Sequence, residues 1–242
     1  MHKWVNEMLK GLYTATAGML TQQRRTEMLS NNMANANTEG YKADQSSIRA
    51  FPEMLLKRME NGSVPATVGS LNTGVYLQEL NSQYLQGDLR ETGLKSDVAL
   101  IEQFVAVNQE INLKGTLFFA VENETGQERY TRNGNFTLDE NGRLLLDGNQ
   151  VLSVTGQPIV IQSSEYQITE DGDIFAEGEF VAQIDVCFEA DVRNLVKEGN
   201  GLYRTANNQA LPSAANNAEI EYNLKQNYLE GSTLMLQEPI QR

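Results

Sequence analysis

The chain has 242 residues, 40% of them hydrophobic and 21% charged, with a mean hydropathy of −0.44. This is a soluble globular composition, and its longest apolar runs, such as Leu117–Val121, are far too short to cross a bilayer. A formal net charge of −13 includes +2 on residues 1–42 and therefore −15 on the remainder, a body that repels phosphate backbones and argues against nucleic acid as a partner.

In chain order, Met8 to Asn35 contains no proline, and Leu9, Leu12, Tyr13, Thr16, Met19 and Leu20 recur at helical spacings to make one narrow apolar face. Asn31, Asn32, Asn35, Asn37 and Gly40 mark the end of this helix. No second helix follows to cover the face, which leaves an ordinary helix packed on the β body of the same chain or an assembly helix buried only against other subunits; the charge contrast with the body, the polar stretch that follows and the narrow seam favour the assembly helix. Gln45 to Arg58 reads as a short helix or extended chain, and Glu60–Gly74 as loop. From there strand periodicity dominates. Short apolar stretches at Tyr130–Leu138, Arg143–Leu146, Gln150–Val154 and Pro158–Ile161 are punctuated by Asn133-Gly134, Asn141-Gly142, Asp147-Gly148 and Gly156, which are hairpin signals. Phe180–Phe188 alternates strictly, with Phe180, Ala182, Ile184, Val186 and Phe188 on one side and Cys187 among the residues opposite, on the polar side. Thr205–Asn217 reads as a linker, and Glu219–Leu229 as a strand or a helix start. The expected fold is mainly β, an irregular antiparallel domain carrying an N-terminal amphipathic helix. The expected divisions are 1–42 for the helical segment, 43–80 for a linker or extended region, 81–204 for the β core, and 205–242 for a polar linker and shortened end.

Enzyme chemistry is poorly supplied. One histidine, His2, lies in the amino-terminal stretch, and one cysteine, Cys187, rules out a disulfide framework or a cysteine-based zinc cluster. Phosphate-loop, dinucleotide and nucleophile-elbow patterns do not occur. Asp139-Glu140-Asn141-Gly142 and Asp171-Gly172-Asp173 place oxygens close together, but lack the bidentate glutamate of a calcium loop and read as hairpin turns. Catalytic residues, metal ligands and cofactors are therefore all expected to be none. Cys187 is expected to be a partly exposed, inert thiol. Tyr130, Arg132 and Phe136 are expected to pack on strands rather than stack on carbohydrate. A secreted β-rich module binding glycans or cell wall is the competing reading.

Leu12-Tyr13-Thr14-Ala15-Thr16-Ala17-Gly18-Met19, followed by Leu29-Ser30-Asn31-Asn32-Met33-Ala34-Asn35-Ala36-Asn37-Thr38-Glu39-Gly40-Tyr41-Lys42, resembles the amino-terminal signature of bacterial flagellar axial proteins. Gly87–Gly93, Asp97–Leu100, Tyr130–Phe136, Gly156–Ile159 and Val181–Ile184 resemble the core of the same family, closest to its basal-body rod proteins. The resemblance implies a structural subunit of the flagellar rod that polymerises through terminal helices to transmit torque. It also implies a homo-oligomer in the assembled rod, contacts with other rod and hook subunits, and delivery to the basal body by the flagellar export apparatus without a cleavable signal or membrane insertion. The polar, charged start Met1–Gly11 fits that expectation. Asn31, Asn32, Asn35, Asn37, Gly40 and Tyr41 then become a helix-end motif. Two departures accompany the match: Phe118-Phe119 follows the Asp97-Val98-Ala99 element about thirteen residues later than the family pattern, which suggests an inserted strand or loop, and the long closing helix of the family lies outside the sequence.

Overall fold

The computed structural model describes the backbone of residues 2–52, 54–58, 66–71, 74–82, 84–105, 107–108, 113–215, 217 and 219–236. The chain divides into two compact units, Met1–Ala34 with Ala43–Gln83, and Asn35–Lys42 with Tyr84–Arg242.

The first unit holds α1 (His2–Ala34) and four strands, β1 (Asp44–Ala50), β2 (Met54–Arg58), β3 (Ala66–Leu71) and β4 (Val75–Ser82). β1 pairs antiparallel with β4, from Asp44 opposite Ser82 to Ala50 opposite Val75, and β2 pairs with β3. The stretch expected to be linker and loop is thus two nested hairpins. Its β-branched and alternating residues, such as Ile48 and Val75, satisfy their backbone groups across strands. Asn61-Gly62 and Pro65, part of the expected loop, lie outside the described residues.

α1 docks on the β1–β4 hairpin through small and polar residues. A side chain at Gly74 would press on Thr14 and Ala17. The Thr21 hydroxyl donates to Ala17 O at 2.7 Å and approaches Val75 O at 3.3 Å. Met28 and Leu77 share a cleft, and Asn32 clamps the Asp44 backbone from both sides, donating to its carbonyl at 2.8 Å and accepting from its amide at 3.0 Å. Thr14, Ala17, Thr21, Met28 and Asn32 fall at spacings of three, four and seven, one inner face of the helix.

The second unit is the β body. It comprises β5 (Leu89–Glu91), β6 (Val98–Phe104), β7 (Val107–Asn108), β8 (Leu113–Lys114), β9 (Thr116–Glu122), β10 (Glu128–Thr131), β11 (Thr137–Leu138), β12 (Leu144–Leu146), β13 (Asn149–Val151), β14 (Tyr166–Ile168), β15 (Asp173–Ala176), β16 (Glu179–Gln183), β17 (Val186–Glu189), β18 (Leu195–Lys197), β19 (Leu202–Thr205), β20 (Glu221–Gln226) and β21 (Tyr228–Glu230). The largest sheet runs β11-β12-β13-β9-β10-β19-β18, with β17 also on β9. β9 is its axis because it is buried on both faces, which explains a continuous apolar run instead of alternation. Leu117, Phe119 and Val121 enter the main core with Leu144, Ile159 and Ile184. Phe118 and Ala120 enter a second cluster with Tyr130, Cys187 and Tyr203.

Several expectations are corrected by this packing. Asn133-Gly134 is not a hairpin turn. Gly134 passes so close to β6 that a Cβ would overlap Val98 O, while its own carbonyl accepts Val98 N at 3.0 Å. Asn141-Gly142 and Asp147-Gly148 do turn hairpins, joining β11 to β12 and β12 to β13. The alternating run Phe180–Phe188 is two strands, because Ile184 and Asp185 leave β16 to hydrogen-bond Gly172 and Leu152. Ala182, Ile184, Val186 and Phe188 still face the main core, but Phe180 is exposed. Cys187 is fully buried, not partly exposed, since residues 211–213 fold over its strand: Phe188 N donates to Pro212 O and Cys187 bridges Ser213. Glu219–Leu229, read as a strand or a helix start, is strand: β20 pairs with β6 and β21 with β5. The thirteen-residue displacement of Phe118-Phe119 contains a small hairpin, β7 with β8, whose residues 109–112 lie outside the described residues.

Candidate assembly surface and the anchor at its base

The described side chains of the predicted apolar stripe are uncovered. Leu12 is 63% exposed, Tyr13 72%, Met19 74% and Leu20 48%, and Thr16 is exposed as well. The side chain of Leu9 lies outside the described residues. At about 100° per residue, the stripe points roughly 130° away from the inner face that grips the hairpin. Two faces of one helix therefore have different occupants: small residues permit close approach to this chain's own strands, and the large apolar residues are turned outward. Leu29 and Met33 extend the exposed apolar surface towards the helix end. A single helix seldom presents so many large apolar side chains to water unless they are covered by something else.

The helix-end residues do not act as one motif. Asn32 belongs to the first unit through its clamp on Asp44, and Asn31 is exposed beside the Met28–Leu77 cleft. Asn35 begins the second unit, its carbonyl accepting Thr38 N at 3.1 Å and its side-chain oxygen the Thr38 hydroxyl at 3.3 Å. Asn37 is exposed at a groove shared with Asp88, Arg90 and Leu229. Gly40 takes a positive φ of 66°, and its amide donates to Glu230 O at 2.7 Å; a Cβ would collide with the Arg132–Asn133 backbone. Tyr41 is buried, with Lys197 Nζ 4.2 Å from the centre of its ring. Its carbonyl accepts Thr233 N at 3.0 Å.

Next to Tyr41 sits a charge cluster that sequence reasoning missed. Lys42 is buried, and its Nζ donates to Leu85 O at 2.5 Å and to Glu230 Oε1 at 2.7 Å. Glu230 also accepts Gly87 N at 2.7 Å and, through Oε2, Arg132 Nε at 2.9 Å. Arg132, wholly buried, donates Nη1 to Glu102 Oε1 at 2.8 Å and to Leu117 O at 2.9 Å. Lys114 closes the outer side of Glu102 at 2.8 Å. Burial, helped by repulsion from Arg132, lowers Lys42 to about 8 against the opposing pull of Glu230. Burial alone would raise Glu102, but Arg132 and Lys114 hold its carboxyl below the ordinary value. Neither Lys42 nor Arg132 stands in an apolar stretch that would have flagged it, and partners as distant as residues 42 and 230 leave no local pattern.

Nothing in this arrangement is set up for catalysis. Asp139 accepts Asn141 N and Arg143 N and pairs with the Arg143 guanidinium, so its loop is held by its own turn. The Cys187 thiol is pushed up by burial and by Asp185, away from the thiolate that nucleophilic attack needs. Tyr130 and Phe136 are buried and Tyr130 OH accepts Leu211 N, so neither ring offers a face to a carbohydrate.

Comparison with known proteins supplies the context. Residues 12–42 match the family profile described as flagella basal body rod protein, and residues 112–176 match the flagellar hook protein FlgE/F/G D1 domain. The first match covers the stripe from Leu12 onward and ends at Lys42, and the second contains β9 and Arg132. Over 231 residues the chain is 50% identical to the flagellar hook-basal body complex protein FlhO of Bacillus subtilis strain 168, covering 94% of the chain and 85% of that protein. The flagellar basal-body rod protein FlgG of the same strain is 31% identical over 225 residues, 86% of the chain and 78% of the relative. The basal-body rod protein FlgF of Caulobacter vibrioides is 30% identical over 230 residues, covering 94% and 83%.

Proposed function

The chain belongs to the family of flagellar hook and basal-body rod proteins, and from that premise we propose that it enters the axial structure through the outward stripe of α1. It is a structural component of the flagellar basal body and not an enzyme. The observation that carries the proposal is the division of labour on α1. Its small-residue face is used on the β1–β4 hairpin, whereas Leu12, Tyr13, Thr16, Met19 and Leu20 remain for neighbours.

In this reading the helix stripes of successive copies and of other rod and hook subunits pack together, giving a homo-oligomer within the rod. Buried apolar area supplies the association energy, at roughly 25 cal/mol per Å². The β body, rigid because β9 is enclosed on both faces, carries torque between subunits without chemistry. Delivery by the flagellar export apparatus, without a cleaved signal, belongs to the same proposal. The helix-end residues serve separately: Asn32 fastens the helix to its hairpin, and Gly40 and Tyr41 fasten the following segment to the β body.

Detergent-extracted hook–basal bodies from cells carrying an epitope-tagged copy are expected to retain the chain after high-salt and alkaline washing, in a fixed ratio to the other rod subunits. Recovery of the chain only from the cytoplasm or from wall fragments lacking basal bodies would overturn the assignment.

A further inference from the structure

We propose that Lys42, Arg132, Glu102 and Glu230 form a buried latch that makes seating of segment 35–42 conditional on seating of the carboxyl-terminal strand β21. This goes beyond the axial role, because it concerns how the chain closes on itself, whichever position in the rod it fills.

The four charges come from four separate stretches of chain. Lys42 ends the helix-end segment, Glu102 lies on β6, Arg132 follows β10, and Glu230 closes β21. Lys42, Glu230 and Arg132 are essentially inaccessible, and the Glu102 side chain is 2% exposed. Backbone bonds bind the same two outer segments reciprocally. Gly40 N donates to Glu230 O at 2.7 Å and Thr233 N donates to Tyr41 O at 3.0 Å.

Consider the half-closed states. With β21 unseated, Lys42 and Arg132 both lose the Glu230 carboxylate, and Glu102, already shared with Lys114, is the one anion left among the four charges. With segment 35–42 unseated, Glu230 loses its ammonium partner and a backbone donor, and Leu85 O loses its donor. A buried ion pair broken on one side is much worse than one that is complete or wholly absent. Both half-closed states are therefore disfavoured relative to the fully open and fully closed ones, and the two segments close together. Synthesis runs from the amino terminus, so segment 35–42 lacks its anion until residue 230 has been added. The latch thereby delays fixing of the helix base until the body is complete.

Backbone hydrogen exchange on the full chain tests this. In wild type at increasing low denaturant, the amides of Gly40, Gly87 and Thr233 are expected to follow one common opening isotherm. Lys42→Met and Glu230→Gln are each expected to accelerate all three amides by the same factor, between roughly a hundredfold and a few thousandfold for Glu230→Gln, the range implied by breaking a buried pair. Acceleration confined to the segment carrying the substitution would overturn the latch. Should Glu230→Gln not fold, the wild-type isotherms decide alone: three separate curves contradict joint closure.

Discussion

Replacing Leu12 and Met19 together by aspartate is expected to abolish incorporation into the rod, and with it swimming in soft agar, while the isolated chain melts as wild type. The two effects separate because the side chains are 63% and 74% exposed. Exposed substitutions away from caps and buried networks usually change stability by less than about 0.5 kcal/mol. In an assembled stripe the same positions would lose roughly 1.5–3 kcal/mol each of apolar burial and would bring two carboxylates into a dry seam. Repeated along a polymer, that loss prevents growth. The check is paired: thermal melting of purified chain, and the amount of chain recovered in extracted basal bodies. A normal rod with the double substitution would show that the stripe is not an assembly surface.

The largest effect on the chain itself is expected from Arg132→Leu. Leucine can make none of the bonds to Glu102, Glu230 and Leu117 O, and it leaves the two carboxylates with Lys114 and Lys42 as their cations; breaking a buried pair from one side costs about 3–5 kcal/mol. Urea unfolding should show a markedly lower midpoint, and Arg132→Lys should recover only part of the loss, since an ammonium lacks the planar fork that reaches Glu102, Glu230 and Leu117 O together. The pH dependence follows from Glu102. Its folded-state value lies below the ordinary 4.5, so its contribution is complete above that value and is lost as pH falls through the lower folded one. Without Arg132 its largest stabilising charge is gone, and Lys114 and the Leu117 amide are left to oppose the effect of burial. The gap in stability between wild type and variant is therefore expected to be widest near neutrality and to narrow in acid. A gap independent of pH, or a variant as stable as wild type, would contradict the charge balance described for this cluster.

What was legible in the sequence was what local periodicity or turn chemistry encodes. The helix and its outer stripe show in the spacing of Leu12, Met19 and Leu20, and the β9 axis shows as the apolar run Leu117–Val121. The turn at Asp147-Gly148 is equally readable. The inner face of α1 was not, because Thr14, Ala17 and Thr21 are too small to stand out in a hydrophobic pattern, although their size is what allows close approach to Gly74. Cys187 was misplaced because alternation along one strand assumes one wet face, and here residues 211–213 cover it. β20 and β21 could be read only as a strand or a helix start because their composition is polar: in β20, Asn223, Lys225 and Gln226 surround the buried Leu224, and in β21 Leu229 is the buried apolar residue. Arg132 was read as strand packing, which its burial bears out, but its pairing with Glu230 depends on how distant strands meet, and no short-range rule encodes that.

The most direct measurement is photo-cross-linking from an unnatural benzophenone side chain placed at Met19 in growing cells. The account predicts an intermolecular product joining the chain to another axial subunit in assembled basal bodies, with none formed by purified, dilute chain. A product within the same polypeptide, or the same yield with and without assembly, would mean that the stripe is covered by its own protomer, and the outward helix face would no longer explain how this chain enters the rod.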